Sequence, residues 1–133
     1  MEKSMMDANM YSSLNLAYIG DAVYELYVRM HLVANHKMPV AKFHKKTIMI
    51  VSAKGQAISI DAIMDKLTKE ELAVYRSGQN AKSNTSSKNA SIVDYHKATG
   101  FEALIGYLYL KGDTDRLEQI EELAVKAVEE SHV

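Results

Sequence analysis

The sequence predicts an all-α protein, and three observations carry that prediction. Helix breakers are scarce, with one Pro and six Gly in 133 residues. Two capping-box patterns, Thr68-Lys-Glu-Glu71 and Ser91-Ile-Val-Asp94, mark helix starts, because a Ser or Thr oxygen accepts from the third residue's N–H while an acid reaches back. Apolar residues recur at three- and four-residue spacing, as in Leu117, Ile120, Leu123, Ala124, Ala127 and Val128, whereas strand-like alternation is weak.

Each element follows from local signals. A short helix is read near residues 5–12. A long helix is read over 13–35, ended by Asn35 and by Pro39, since the residue before proline avoids the helical region. The next runs from Val40 to Val51. Ser52 caps a further helix read through Leu67. The Thr68 box opens a helix read to Ser77, with Gly78 closing it. Residues 78–90 contain no large apolar side chain and are read as a loop, long for a compact domain. Such loops are often functional; an ordinary surface loop is the plainer alternative. The Ser91 box opens a helix through Leu110, and a last helix spans 114–130.

Composition narrows the classes. The length predicts one domain that buries its own core without staples. No Cys is present, which excludes a disulfide framework, a Cys-based zinc site and a thiol nucleophile, and fits a reducing cytoplasm. The N-terminus lacks the apolar core of a signal peptide, and no run approaches the roughly 18 apolar residues of a membrane span, so no membrane partner is expected. Net charge is −1, but residues 111–133 carry −4 and the remainder +3, so the acidic last helix leaves a more basic face elsewhere.

Two acids stand apart. Asp21 lies in Leu14-Asn-Leu-Ala-Tyr-Ile-Gly-Asp-Ala-Val-Tyr-Glu25, and Glu102 in Thr99-Gly-Phe-Glu-Ala-Leu-Ile-Gly106; both runs are otherwise nearly apolar. A carboxylate is costly to bury unless something positive pairs with it. Gly20 costs about 1 kcal/mol in a helix interior, a cost that close approach of another helix would offset. Two glycine-bearing helices packed together would bring Asp21 and Glu102 to one ion, and carboxylate oxygens suit magnesium. The alternative, a core ion pair with Lys or Arg for each acid, stays open on spacing alone.

The motifs carry a resemblance. Tyr18-Ile-Gly-Asp-Ala-Val23 resembles the signature of ribonuclease III catalytic domains, and Phe101-Glu-Ala-Leu-Ile-Gly106 resembles that family's second acidic motif. Between them, Ile50-Val-Ser-Ala-Lys54 and Gly78-Gln-Asn-Ala-Lys-Ser83 look like segments of Mini-ribonuclease III, the short bacterial branch. The likeness runs from about residue 13 to 125, with all four segments in order. Typical family members carry further acids where this chain has Leu14, Ala17 and Thr99, so only Asp21 and Glu102 carry over.

The resemblance implies a ribonuclease III-like helical endonuclease domain over residues 1–133, without a double-stranded-RNA-binding domain. It implies a homodimeric, magnesium-dependent endoribonuclease, with manganese as a substitute, acting on double-stranded RNA and maturing 23S ribosomal RNA precursor. Asp21 and Glu102 would hold the metal and act in catalysis, leaving 5′-phosphate and 3′-hydroxyl ends. RNA contacts would fall to Lys54, Arg76, Asn80, Lys82, Ser83 and Lys88, with Gln79 beside them and Lys42, Lys45 and Lys46 as a second basic cluster. A ribosomal-protein helper fits this role. Glu25 either supports Asp21 or merely pairs with Arg29. The five His show no metal-ligand spacing, and Tyr18, Tyr24, Tyr27, Tyr107 and Tyr109 read as core and dimer contacts. The alternative from another class is a noncatalytic RNA-binding or ribosome-assembly factor on the same fold.

Overall fold

The computed structural model describes residues 7–82 and 91–132. Among these residues six α-helices follow in order: α1 (Ser13–Asn35), α2 (Val40–Val51), α3 (Ala53–Ile63), α4 (Lys69–Gln79), α5 (Ile92–Lys111) and α6 (Thr114–Ser131). Among the described residues there is no strand.

α5 is the axis of the molecule. Between Ala98 and Leu108 every residue is buried except Glu102, which reaches partway to solvent. A helix apolar on all sides must be enclosed, and α1, α3, α4 and α6 all pack on it. α1 turns Leu16, Ala17, Gly20, Tyr24, Val28 and Leu32 inward, a three- and four-residue stripe. Tyr24 meets Phe101 of α5 edge-on, ring centroids 4.9 Å apart.

Glycine sets the closest seam. A Cβ on Gly20 would lie 1.8 Å from the Glu102 carbonyl oxygen, and one on Gly106 would lie 2.0 Å from that of Leu16. No larger residue fits either place, so the α1 and α5 backbones touch there. The helix-interior cost of Gly20 is thus offset by the approach that its missing side chain permits.

Three boundaries differ from the sequence reading. The N-terminal helix read near 5–12 is a single 3-10 turn, Ala8–Met10, capped by Asp7. The helix read through Leu67 stops being α-helical at Ile63, tightens to a 3-10 turn over Met64–Lys66, and leaves Leu67 extended. Gly78 does not close α4; the helix runs through it to Gln79. A Cβ on Gly78 would sit 2.8 Å from the Ala103 Cβ and 2.9 Å from the Gly100 Cα. That glycine serves helix–helix contact, not termination.

The N-caps fall where they were read, although at Ser91 the structure shows the serine's half of the box and not the return bond from Asp94. Ser52 accepts from the Gly55 N–H at 3.1 Å and Ser91 from the Asp94 N–H at 3.0 Å. The Thr68–Glu71 box is complete: Glu71 N–H donates to the Thr68 hydroxyl at 3.1 Å, and Thr68 N–H to the Glu71 carboxylate at 2.9 Å. Glu71 is buried, and Arg116 of α6 grips it with two bonds of 2.7 and 2.8 Å while donating a third, at 2.9 Å, to the Lys66 carbonyl. One charge-assisted fork thereby fastens the start of α4 to α6.

Candidate active site

Three helices converge on the turn of α5 that carries Glu102. Gly20 brings α1 against the Glu102 backbone, and Gly78 lays the last turn of α4 beside Gly100 and Ala103. From α3, the Gln56 side chain donates to Glu102 Oε2 at 3.0 Å.

Asp21 follows Gly20 directly, so the glycine seam delivers it to the same place. Its carboxyl group lies within hydrogen-bonding reach of the Glu102 carboxyl. The two acids differ in surroundings. Asp21 is exposed, contrary to the burial that its apolar neighbours suggested. The neighbours split instead: Leu16, Ala17, Gly20 and Tyr24 point inward, and Tyr18, Ala22 and Leu26 point outward. Glu102 carries the desolvation. Burial, foremost, raises its carboxyl to about 8, and the nearby Asp21 charge adds to this, while the Gln56 bond works against it.

Neither acid has a core ion pair: among the described residues no Lys or Arg bridges to Asp21 or Glu102. A desolvated carboxylate beside a second carboxylate, with no cation supplied by the fold, fits a divalent ion. The buried Gln56 Oε1, without a hydrogen-bond partner, adds an unused acceptor to the same place. No third His, Cys, Asp or Glu joins the pair among the described residues. Two carboxylates suit an ion that retains much of its water, as magnesium does. The positions where typical relatives carry extra acids supply none: Leu14 and Ala17 are apolar, and the Thr99 hydroxyl donates to the Tyr95 carbonyl at 3.0 Å.

A shallow groove of about 330 Å³ opens beside Asp21, lined by Ala22, Glu25, Leu26 and Arg29. Glu25 pairs with Arg29, whose Nε donates to it at 3.1 Å, the plainer of the two roles read for it.

The basic and polar residues fall in two places. Arg76 and Asn80 end α4 one turn apart, joined by the Asn80 N–H to Arg76 carbonyl bond of 3.0 Å, and Lys82 follows; all three are exposed. Lys54 is exposed on the first turn of α3, two residues before Gln56. Both groups lie on helices that pack on α5, yet on different elements. Ser83 and Lys88 lie outside the described residues. Gln56 is the residue that sequence reading missed. Its signal was present: a polar side chain at 56 shares a helix face with Ile60 and Ile63, the same anomaly that marked Asp21 and Glu102.

Two acids from different helices that meet at a glycine seam could hold a metal ion against a phosphodiester, and the comparisons give the family. The Ribonuclease III domain matches residues 14–113. A Mini-ribonuclease 3 from Clostridium tetani is 49% identical over 98% of this chain and 87% of its own length. One from Thermoanaerobacter sp. is 51% identical over 90% of this chain and 84% of its own. The crystal structure of a Fusobacterium nucleatum protein superposes with a TM-score of 0.81 at 28% identity, covering 92% of this chain and 98% of that one. This chain belongs to the ribonuclease III family, on its Mini-ribonuclease 3 branch. With that membership comes the activity: the chain is an endoribonuclease for double-stranded RNA, in a family that works with divalent metal ions.

Proposed function

We propose that Asp21 and Glu102 form the catalytic centre, that its metal is magnesium with manganese as a substitute, and that the substrate is 23S ribosomal RNA precursor. The observation that carries the metal-holding centre is the meeting of the two acids from α1 and α5 with no cation of the protein's own beside them, while the substrate is proposed from the likeness to Mini-ribonuclease 3 proteins. Both carboxylates would hold the ion. Bound there, magnesium supplies Lewis-acid chemistry, offsetting charge that builds on the phosphate and lowering the pKa of water.

The chain's own residues set the rest. Exposed Asp21 would face the incoming RNA, whereas Glu102 is largely withdrawn from bulk water, so that electrostatic interactions at its carboxyl are stronger than in solvent. Attack of water in line on the phosphate leaves a 5′-phosphate and a 3′-hydroxyl. Lys54, Arg76 and Lys82 would neutralise phosphates, and Asn80 would bond backbone or 2′-hydroxyl oxygens, with Ser83 and Lys88 completing the set. Shape recognition of this kind needs no reading of base edges.

The partner is a second copy of the chain. The outer side of α1 exposes Tyr18 (80%), Leu26 (60%), Met30 (63%) and Val33 (62%), an apolar face that a homodimer would cover. Each subunit would then cut one strand in the cytoplasm, with a ribosomal protein presenting the precursor.

Asp21→Asn tests the reading. On a short RNA duplex with magnesium, cleavage should fall at least about a thousandfold, the scale of several kcal/mol of lost transition-state stabilisation. Duplex binding and subunit association should persist. Wild-type rates in the variant would remove Asp21 from the centre. Deleting residues 80–88 should raise KM far more than it lowers the melting temperature; unchanged kinetics would remove that segment from RNA binding.

A further inference from the structure

We propose that Gln56 is a positioning residue of the catalytic centre: it holds the Glu102 carboxylate toward Asp21 without supplying the charge that a metal ion is to supply. The inference rests on reading Asp21 and Glu102 as a metal-holding pair.

Gln56 is 1% exposed. A primary amide buried that deeply is costly unless its hydrogens are used. Both are. Nε2 donates to the Val51 carbonyl at 2.9 Å and to Glu102 Oε2 at 3.0 Å. Val51 is the last residue of α2, where carbonyls lack an intrahelical partner. The amide is therefore anchored at one end to the rigid terminus of a helix, and that anchor aims its other hydrogen at Glu102. With one Glu102 oxygen held from the α3 side, the carboxylate cannot rotate freely away from Asp21.

The neighbouring glycine makes this possible. A Cβ on Gly55 would lie 2.4 Å from the carbonyl oxygens of both Met49 and Ile50. The first turn of α3 thus abuts the last turn of α2, which places Gln56 beneath Val51 and against α5.

The residue type is informative. Elsewhere in this fold a buried glutamate receives an arginine: Glu71 is gripped by Arg116. At Glu102 the donor is a neutral amide. It orients the carboxyl group and places no positive charge beside it. A Lys or Arg there would neutralise the acid and compete with an incoming cation. The unpartnered Gln56 Oε1 shows that the amide is not simply satisfying itself.

The test is magnesium titration of the purified full chain, read as the rise in melting temperature without RNA, together with the magnesium dependence of kcat on a duplex. Gln56→Met keeps the volume and removes the donors. Its magnesium midpoint should rise by about tenfold or more, the usual cost of removing a partner of a metal-holding side chain. At low magnesium kcat should fall and at high magnesium recover, with KM for the duplex unchanged. Ser59→Ala removes an equally buried bond on the same helix, the 2.8 Å donation to the Ala124 carbonyl. It should lower the melting temperature and leave the magnesium midpoint in place. Gln56→Lys should fold and lose the magnesium response, because its ammonium occupies the cation's role. A wild-type midpoint in either Gln56 variant, or an equal shift in Ser59→Ala, would overturn the inference while leaving the metal-holding pair standing. If the wild type gains no stability from magnesium, the pair itself fails, and the role of Gln56 with it.

Discussion

Glu71 and Glu102 are acids on neighbouring helices, each drawn into the protein, and the fold treats them in opposite ways. Glu71 is closed off by its own cap and by the Arg116 fork, whose hydrogen bonds, foremost, hold its carboxyl below the ordinary range. Glu102 receives an amide and a second acid, and burial drives its carboxyl above the ordinary range. Glu71 comes with a cation built into the chain, whereas Glu102 is left without one. Glu121 of α6 sharpens the comparison. It is 3% exposed, with Oε2 unpartnered, and burial, then Glu118, pushes it up to about 8. Glu118 acts on it through charge alone, whereas Asp21 lies within hydrogen-bonding reach of Glu102. A raised carboxyl is therefore insufficient to mark a centre; the pairing and the neutral donor are what set Glu102 apart.

The largest effect should come from taking away the built-in cation. Arg116→Ala leaves Glu71 buried and unpaired and should cost about 3–5 kcal/mol in chemical denaturation, as when one partner of a buried pair is removed. A loss below about 1 kcal/mol would mean that Glu71 escapes to water. Next comes the seam. Gly20→Ala forces a methyl group into the Glu102 backbone and should cost about 3 kcal/mol, the upper part of the overpacking range, with loss of cleavage because Asp21 shifts relative to Glu102. Unchanged stability would mean that α1 and α5 separate at little cost.

The smallest effect concerns Glu121 and has the opposite sign. Its folded-state carboxyl is raised above the unfolded value of 4.5, so the folded chain holds that proton more tightly. The associated stability is complete below pH 4.5 and is lost as pH rises to about 8. Glu121→Met should stabilise the protein by about 2 kcal/mol at pH 8. The gain should shrink toward pH 5. Denaturation midpoints across that range provide the check, and a gain independent of pH would mean that the residue is not protonated in the folded state.

Much of this contrast was legible in the sequence, and its gaps have physical reasons. Asp21 and Glu102 stood out because a lone acid in an apolar run demands an explanation. Gly20 pointed to a helix crossing because a helix-interior glycine has a cost to offset. Gly78 misled, since glycine serves both helix ends and helix contacts, and only the position of α5 decides between them. Asp21 was read as buried because a helix apolar on two faces looks the same whether the outer face meets protein or water. The Glu71–Arg116 fork spans 45 positions, and no local pattern announces it. Gln56 was hidden in a helix whose buried face only the packing of α2 and α5 defines.

The most direct test of the central claim is calorimetric titration of magnesium into the metal-free chain at pH 7, in buffers of different ionisation enthalpy. Because the Glu102 carboxyl is raised, the ion must displace a proton to bind. The account predicts buffer-dependent heats reporting release of up to about one proton per subunit, fading toward pH 9 and absent in Glu102→Gln. Binding of equal strength in wild type and Glu102→Gln, with no proton released, would contradict it.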